Sequence, residues 1–328
     1  MISRRQLALS AIAATIASKA MAQTAPTGEY PNHPIKIIVP LAPGGASDFM
    51  ARLIADKLPA RIGQPVIVEN RPGAGSIIGM DIVAKAAPDG YTLGMGNLPA
   101  LVLNPLIKPA SMPYDAEKAF TPISNIGLTP NMLLINPTKV PSRNLKDFVA
   151  YLKANPGKLN YGSSGSGSAL HVAMELFLKN AGAQMTHVPY KGSSQMLPDL
   201  LAGRVDAAMD AAVTSLPHVK EGKLIALGVT SDTPAFFAPD VPPIASVVPG
   251  PALSGWHGVV APAGLPPAIL AKLEAAIRAI VKDPDVQERL KSQGAIPIGD
   301  SSADFAKFIK MQRDANRPVI AAAGIKAD

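Results

Sequence analysis

Between Leu159 and Lys179 the chain reads L-N-Y-G-S-S-G-S-G-S-A-L-H-V-A-M-E-L-F-L-K. Ser163, Ser164, Gly165, Ser166, Gly167 and Ser168 offer hydroxyls and unobstructed backbone N–H groups without a charge, and His171 follows shortly after. Ahead of a helix, such a run receives an anion at the positive end of the helix dipole, with no dedicated cation. A carboxylate or a phosphate is the matching ligand. The same composition also serves ordinary turns and serine caps, so the run has to be weighed with the rest of the chain. A second stretch, Ile35 to Leu58 (I-K-I-I-V-P-L-A-P-G-G-A-S-D-F-M-A-R-L-I-A-D-K-L), repeats the plan of apolar strand, glycine loop and helix, with Ser47 or Asp48 as its cap.

Other chemistries fit less well. A serine hydrolase wants G-x-S-x-G after a strand, and Gly162 to Ser168 supplies it in no register. Gly73-x-Gly75 lacks the third glycine of a dinucleotide loop, and G-x-x-x-x-G-K is absent. His33, His171, His187, His218 and His257 show no metal-ligand spacing, so neither a metal nor a cofactor is expected. A hydrolase centred on Ser164 or Ser166 with His171 as base is the rival from another class, and a ligand-presenting sensor accessory is a third reading. Trp256 reads as a packed residue. Asp48 and Asp210 each read as a structural acid or as a cleft acid.

The elements that must position these loops repeat. The first set is strand Ile35 to Val39, loop Pro40 to Asp48, helix Phe49 to Leu58, strand Pro65 to Glu69, loop Asn70 to Ser76, a helix through Ala86, and strand Tyr91 to Met95. The second runs from strand Leu159 to Gly162, through its loop and helix, to strand Gln184 to Pro189, loop Tyr190 to Ser194, helix Gln195 to Ala202 and strand Val205 to Asp210. Strands alternating with helices predict an α/β fold of two doubly wound parallel sheets, with ligands beyond the carboxyl ends of the strands. That rule puts Pro43, Gly44, Gly45, Gly73, Ala74, Gly75 and Asn97 on one rim, and Ser163 to Ser168, Tyr190 to Ser193 and Asp210 on the other. Asn97 and Asp210 hold equivalent places at the ends of third strands. Extended segments at Phe120 to Asn136 and Gly255 to Ala261 are expected to cross between the lobes and make a hinge. The lobes are then 23–127 with 251–328, and 128–250. The late helices, with Ile269, Leu273, Ile277 and Ile280 on one stripe and Phe305, Phe308 and Ile309 on another, should return to the first lobe.

Met1 to Ala22 reads as an export signal: Arg4 and Arg5, an apolar run from Leu7 to Ala17, and a small-x-small site at Ala20-Met21-Ala22. Ser3-Arg4-Arg5-Gln6-Leu7 is also similar to a twin-arginine signal. Its removal takes the formal charge from +7 to +4, with lysines and arginines scattered rather than striped, which speaks against nucleic acid. There is no cysteine, so disulfides and thiolate metal sites are excluded.

The stretches Tyr30 to Arg52, Val66 to Gly75 (V-I-V-E-N-R-P-G-A-G), Leu159 to Phe177, Val188 to Ser193 (V-P-Y-K-G-S), Asp199 to Asp206 (D-L-L-A-G-R-V-D) and Ala322 to Lys326 resemble the Bug, or TctC-type, family of periplasmic solute-binding proteins. The resemblance implies a two-lobed periplasmic binding protein of the type II class, a monomer that closes on a small organic carboxylate. It implies delivery of that ligand to the membrane subunits of a tripartite tricarboxylate transporter. Carried over by position, Ala42 to Asp48 supply one jaw and Ser163 to Ser168 the other, with His171 just inside its helix and Asp210 on the cleft floor. Ser76 departs from the pattern where another glycine is common, as does Gly96-Asn97 where a hydroxyl residue is common. Neither jaw contains Lys or Arg, so the anion is to be held by dipoles and N–H donors, each contributing roughly 0.3 to 2 kcal/mol. Arg71 and Lys191 are the nearest candidate counter-ions.

Overall fold

Apolar, β-branched runs make the central strands, as expected for strands covered on both faces. In the computed structural model, Ile35, Ile37, Ile38 and Val39 of β1 (Ile35–Val39) are fully buried. The structure describes residues 30–231, 233–250 and 253–323. The expected signal at Met1 to Ala22 and residues 324–326 of the closing stretch lie outside the described residues. By internal contacts the chain divides into two compact units, Met1–Asn32 and His33–Asp328. The elements named below belong to the second.

The first sheet has the order β11-β4-β10-β3-β1-β2. Strands β2 (Val66–Asn70) and β3 (Thr92–Asn97) run parallel to β1. Strand β10 (Gly255–Pro262) lies antiparallel between β3 and β4 (Phe120–Thr129), and β11 (Ile296–Pro297) adds an antiparallel edge. The second sheet has the order β7-β6-β8-β5-β9. Here β6 (Asn160–Ser163) is parallel to β7 (Thr186–Pro189) and β8 (Ala207–Ala211), while β5 (Asn131–Ile135) is antiparallel to β8 and β9 (Ile225–Val229). The two doubly wound units of the sequence reading are present as β2-β1-β3 and β7-β6-β8. The expectation of purely parallel sheets is corrected. Each crossing strand enters its new sheet from the side of the hinge, so it pairs antiparallel with the third strand of the unit it joins.

Helices follow the parallel strands: α1 (Ala46–Lys57), α2 (Ile77–Ala84), α4 (Ala169–Ala181) and α5 (Ser193–Leu201), with α3 (Leu145–Ala154) ahead of β6 and α6 (Ala212–Lys220) directly after β8. Their starts follow local chemistry. Ser168 caps α4 by accepting the His171 N–H at 3.2 Å, and Asn144 caps α3 by accepting the Asp147 N–H at 2.9 Å. Helix α1 is capped by neither Ser47 nor Asp48; its N-cap is Gly45, which has no side chain to offer, and Ser47 and Asp48 lie inside the first turn.

The crossings are two short, adjoining pieces of chain. The segment read as one extended crossing is two strands, β4 and β5, broken at Pro130, and each belongs to a different sheet. Asn131 ties the crossings together. Its N–H donates to Thr230 Oγ1 (2.9 Å), and its Nδ2 donates to the Leu253 carbonyl (2.7 Å). After β10, helices α7 (Pro267–Val281), α8 (Pro284–Ser292) and α9 (Ser302–Ala323) return to the first sheet. The stripe Ile269, Leu273, Ile277, Ile280 is buried as predicted. Phe305 and Phe308 meet Trp256 edge-on, at 5.6 and 5.7 Å between ring centres. Asp300 holds β4, accepting the Asn125 N–H at 2.7 Å through Oδ1, and Arg313 donates to the Leu101 carbonyl at 3.1 Å. Phe305 is fully buried against the crossing strand. Phe305→Ala is expected to cost about 3–5 kcal/mol, the usual range for deleting a buried ring; the urea midpoint should fall with an unchanged denaturant slope.

Candidate functional site

Four helices point their N-termini at one space. The N-cap residues Gly45 of α1, Ser168 of α4, Gly192 of α5 and Ala211 of α6 all line a cavity of about 60 Å³. That is room for roughly four to six waters at ~10–15 Å³ each. Only Ser168 makes a side-chain capping bond; the caps of α1 and α5 offer none, and at α6 the Ala212 N–H is taken by the Pro130 carbonyl at 3.0 Å. First-turn N–H groups carry the positive end of the helix dipole. No Asp, Glu, Lys or Arg lines the cavity.

The remaining wall comes from the hinge. Strand partners Asn97 and His257 line the cavity in one sheet, and Ala211 and Asn131 in the other. Thr129, Gly255 and Trp256 complete this end. The Trp256 indole N–H and His257 Nδ1 are buried without a hydrogen-bond partner. Burial pushes the His257 pKa down to about 4, so the ring is neutral near pH 7.

A larger outer chamber of about 460 Å³ adjoins this cavity, and Leu41 and Ser164 line both. Gly73 to Ser76, Ser164 to Ser166, Tyr190 and Lys191 are in its wall. The lobes meet around these spaces through small residues. Ala46 and Phe49 of α1 pack on Ala211 and Val213. A Cβ on Gly192 would come within 3.2 Å of the Ala42 side chain, and one on Gly75 would sit 2.9 Å from the Ser166 carbonyl.

Comparison with known proteins gives this geometry its family. The profile described as tripartite tricarboxylate transporter family receptor (TctC) matches residues 50–325. The chain belongs to this receptor family. It is 37% identical to Protein BugT of Bordetella pertussis over 291 residues, 88% of this chain and 89% of BugT. Among solved structures, an R. palustris protein with adipate superposes at a TM-score of 0.87 with 33% identity, covering 91% of this chain and 99% of that one. MatC from Rhodopseudomonas palustris with bound malate superposes at 0.84 with 31% identity, covering 89% and 100%. The TctC family is one of periplasmic solute-binding proteins, and the two-lobed α/β architecture read from the sequence is theirs.

Of the residues singled out from sequence in this TctC-family chain, Ala42, Gly45, Asn97, Ser164 and Ser168 line the inner cavity, and Gly75, Ser164, Gly165, Ser166 and Tyr190 the outer chamber. Asn97 is fully engaged, donating to Ser76 Oγ and accepting the Ala100 N–H, both at 3.0 Å. Pro43, Gly44, Ser47, Asp48, Ser163, Gly167, His171 and Asp210 line neither space. Pro43 and Gly44 sit exposed on the rim, and Ser47 is buried in the first turn of α1. Asp48 accepts from the Gly44 N–H, Arg52 Nε and Asn70 Nδ2, each at 2.9 Å. Burial opposes its ionisation, yet Arg52, the Gly44 N–H and Asn70 together hold it below the ordinary carboxylate range. It shapes the first jaw from behind.

The second jaw is braced likewise. Ser163 Oγ lies 2.6 Å from His187 Nε2, the His187 and His171 rings stack at 4.2 Å, and the Gly167 N–H donates to His171 Nδ1 at 3.1 Å. The cavity-end equivalent of Asn97 is Ala211, not Asp210. Asp210 lies one residue earlier, so its side chain takes the other face, where Ser193 and Thr214 donate to it, Thr214 at 2.6 Å. Ser193 itself lines the cavity. Thr129, Asn131, Ala211, Trp256 and His257 were absent from the sequence-based set, whereas the strand-end rule places Ser193 on the second rim. The pair Trp256-His257 inside an extended crossing segment was the available signal.

Burial pushes the Asp210 pKa up to about 6 despite its hydroxyl donors. Its protonated form therefore supports the fold fully below the ordinary 3.8, and that support is lost as pH rises through about 6. Asp210→Asn, which keeps a buried polar group without the charge, should melt higher than the parent above pH 6, with the gain shrinking as pH falls from 6 to 3.8. Scanning calorimetry across that range reads the difference. Gly75→Ala places a methyl against Ser166 at a φ of 62° and is expected to hold the jaws apart, seen as a larger radius of gyration in small-angle scattering.

Proposed function

We propose that this protein is an extracytoplasmic receptor whose lobes close on a small organic carboxylate held in the inner cavity. The observation that carries the reading is the meeting of four helix N-termini at a space without a charged side chain. Each terminus favours an anion by roughly 0.3 to 1 kcal/mol, and more where water is excluded. A carboxylate accepting from these N–H groups needs no lysine or arginine. The neutral His257 ring, with its Nδ1 unpartnered, stands as a further polar group on the cavity wall. Adipate and malate in the two R. palustris neighbours support a carboxylate over a phosphate.

The protein is exported to the periplasm on the Met1 to Ala22 signal, acts as a monomer, and hands its ligand to the membrane subunits of a tripartite tricarboxylate-type transporter. Lobes 23–127 with 251–328, and 128–250, move about the two crossings. No catalytic step is assigned. The serine in contact with a histidine ring is Ser163, which lines neither cavity, and His171 Nδ1 is taken by the Gly167 N–H.

The test is thermal unfolding of the mature protein across mono-, di- and tricarboxylates, phosphate and amino acids. A ligand at 100 times its dissociation constant should add about 2.7 kcal/mol of stability. Ala46→Asp sets a carboxylate at the N-terminus of α1 on the cavity wall; it is expected to abolish the ligand shift, whereas Ala46→Asn, of the same size without the charge, retains part of it. A panel on which no acid shifts the transition overturns the reading.

A further inference from the structure

The outer chamber carries charge that the inner cavity lacks. Lys108, which follows the short helix Asn104–Ile107 of the first lobe, and Lys191, in the loop after β7 of the second, both line it. No Asp or Glu lines the chamber. The neighbouring cation expected from sequence, Arg71, is already committed: its Nε donates to Glu69 Oε1 at 2.6 Å, and Glu69 also meets Lys36 at 2.7 Å. Among the described residues neither Lys108 nor Lys191 has an ion-pair partner of that kind. Two lysines, one on each lobe, therefore face a common space whose walls offer nothing to neutralise them.

The geometry also limits where a ligand's far end can go. The inner cavity has room for a carboxylate and the carbons next to it. The shared wall of Leu41 and Ser164 leads from there into the chamber of about 460 Å³. A ligand longer than the inner cavity has this way out, past Ser164 toward the chamber that Lys108 and Lys191 line. With the chamber empty, closing the lobes brings like charges toward each other; a negative group between them turns that repulsion into attraction from both sides.

We propose that Lys108 and Lys191 form a cross-lobe subsite for a second anionic group of the ligand, so that a short dicarboxylate closes the trap more effectively than the monocarboxylate of equal length. The inference rests on the carboxylate reading above and extends it to substrate class. Because the pair is split between lobes, the distal charge acts on closure as well as on contact: it stabilises the closed state alone, which is what shifts a two-state equilibrium.

Isothermal titration of the mature protein with matched pairs of linear mono- and dicarboxylates tests this, on the parent, Lys108→Gln, Lys191→Gln, the double variant and Lys191→Arg. Each single glutamine variant should weaken dicarboxylate binding about 2- to 5-fold, the range of a solvent-exposed ion pair, and the double variant should weaken it about 10-fold. Monocarboxylate affinity should stay unchanged or rise slightly, and Lys191→Arg should keep most of the dicarboxylate preference. Raising the salt concentration should erode that preference in the parent and leave the double variant unaffected. Equal losses for both ligand classes, or a double variant that still prefers the diacid, overturns the subsite. If the parent binds monoacids and diacids alike, the subsite fails and the carboxylate receptor stands; if it binds neither, the receptor reading fails first.

Discussion

The structure depends on the meeting of four helix N-termini at a space from which every full charge is excluded. N–H groups at a helix start that lack a side-chain cap look to water, backbone or an anion for acceptors, and the caps of α1 and α5 offer no side chain of their own. A lysine or arginine in the same place would bind an anion more strongly, but it would bring a desolvation cost and a lasting attraction for any acid. Dipoles from α1, α4, α5 and α6 give a weaker, directional field, which suits a protein that must capture its ligand and then release it.

Closure needs surfaces that can approach without side chains in the way. Ala42, Ala46, Gly75, Gly192 and Ala211 provide them at the contacts between lobes. The hinge is correspondingly spare. Pro130 separates β4 from β5, and Asn131 binds Thr230 and Leu253 on the second crossing. The same asparagine lines the cavity, so the residue that joins the crossings also faces the ligand space. Trp256 and His257 extend that link: both line the cavity from a crossing strand, and the Trp256 ring also packs against Phe305 and Phe308.

Charges near the site are managed by displacement to the far side of its walls. Asp48 is turned into a three-donor nest that fixes the first jaw, and Asp210 is buried behind Ser193 with its ionisation disfavoured. His257 is kept neutral by burial. Among the residues that line the two spaces, full positive charge is carried by Lys108 and Lys191 in the outer chamber.

The sequence by itself determined the class of fold and the chemistry of the jaws. Period-two and period-3.6 patterns are local, so the strand-loop-helix units beginning at Ile35 and Leu159 were legible, as was the absence of cations from both loops. A serine cap within the second loop was one open reading of its composition, and the structure assigns it to Ser168. Tertiary structure alone decided which loop residues face the cavity. Neighbours along a strand or within a turn point in opposite directions, so Ala211 lines the wall while Asp210 does not, and Gly45 lines it while Asp48 turns away. It also decided what the crossing segments contribute. Thr129, Asn131, Trp256 and His257 lie far from either jaw in sequence, and they reach the cavity only because β4, β5 and β10 come together at the hinge. Pairing of strands distant along the chain depends on the register of the whole sheet, which no local pattern encodes.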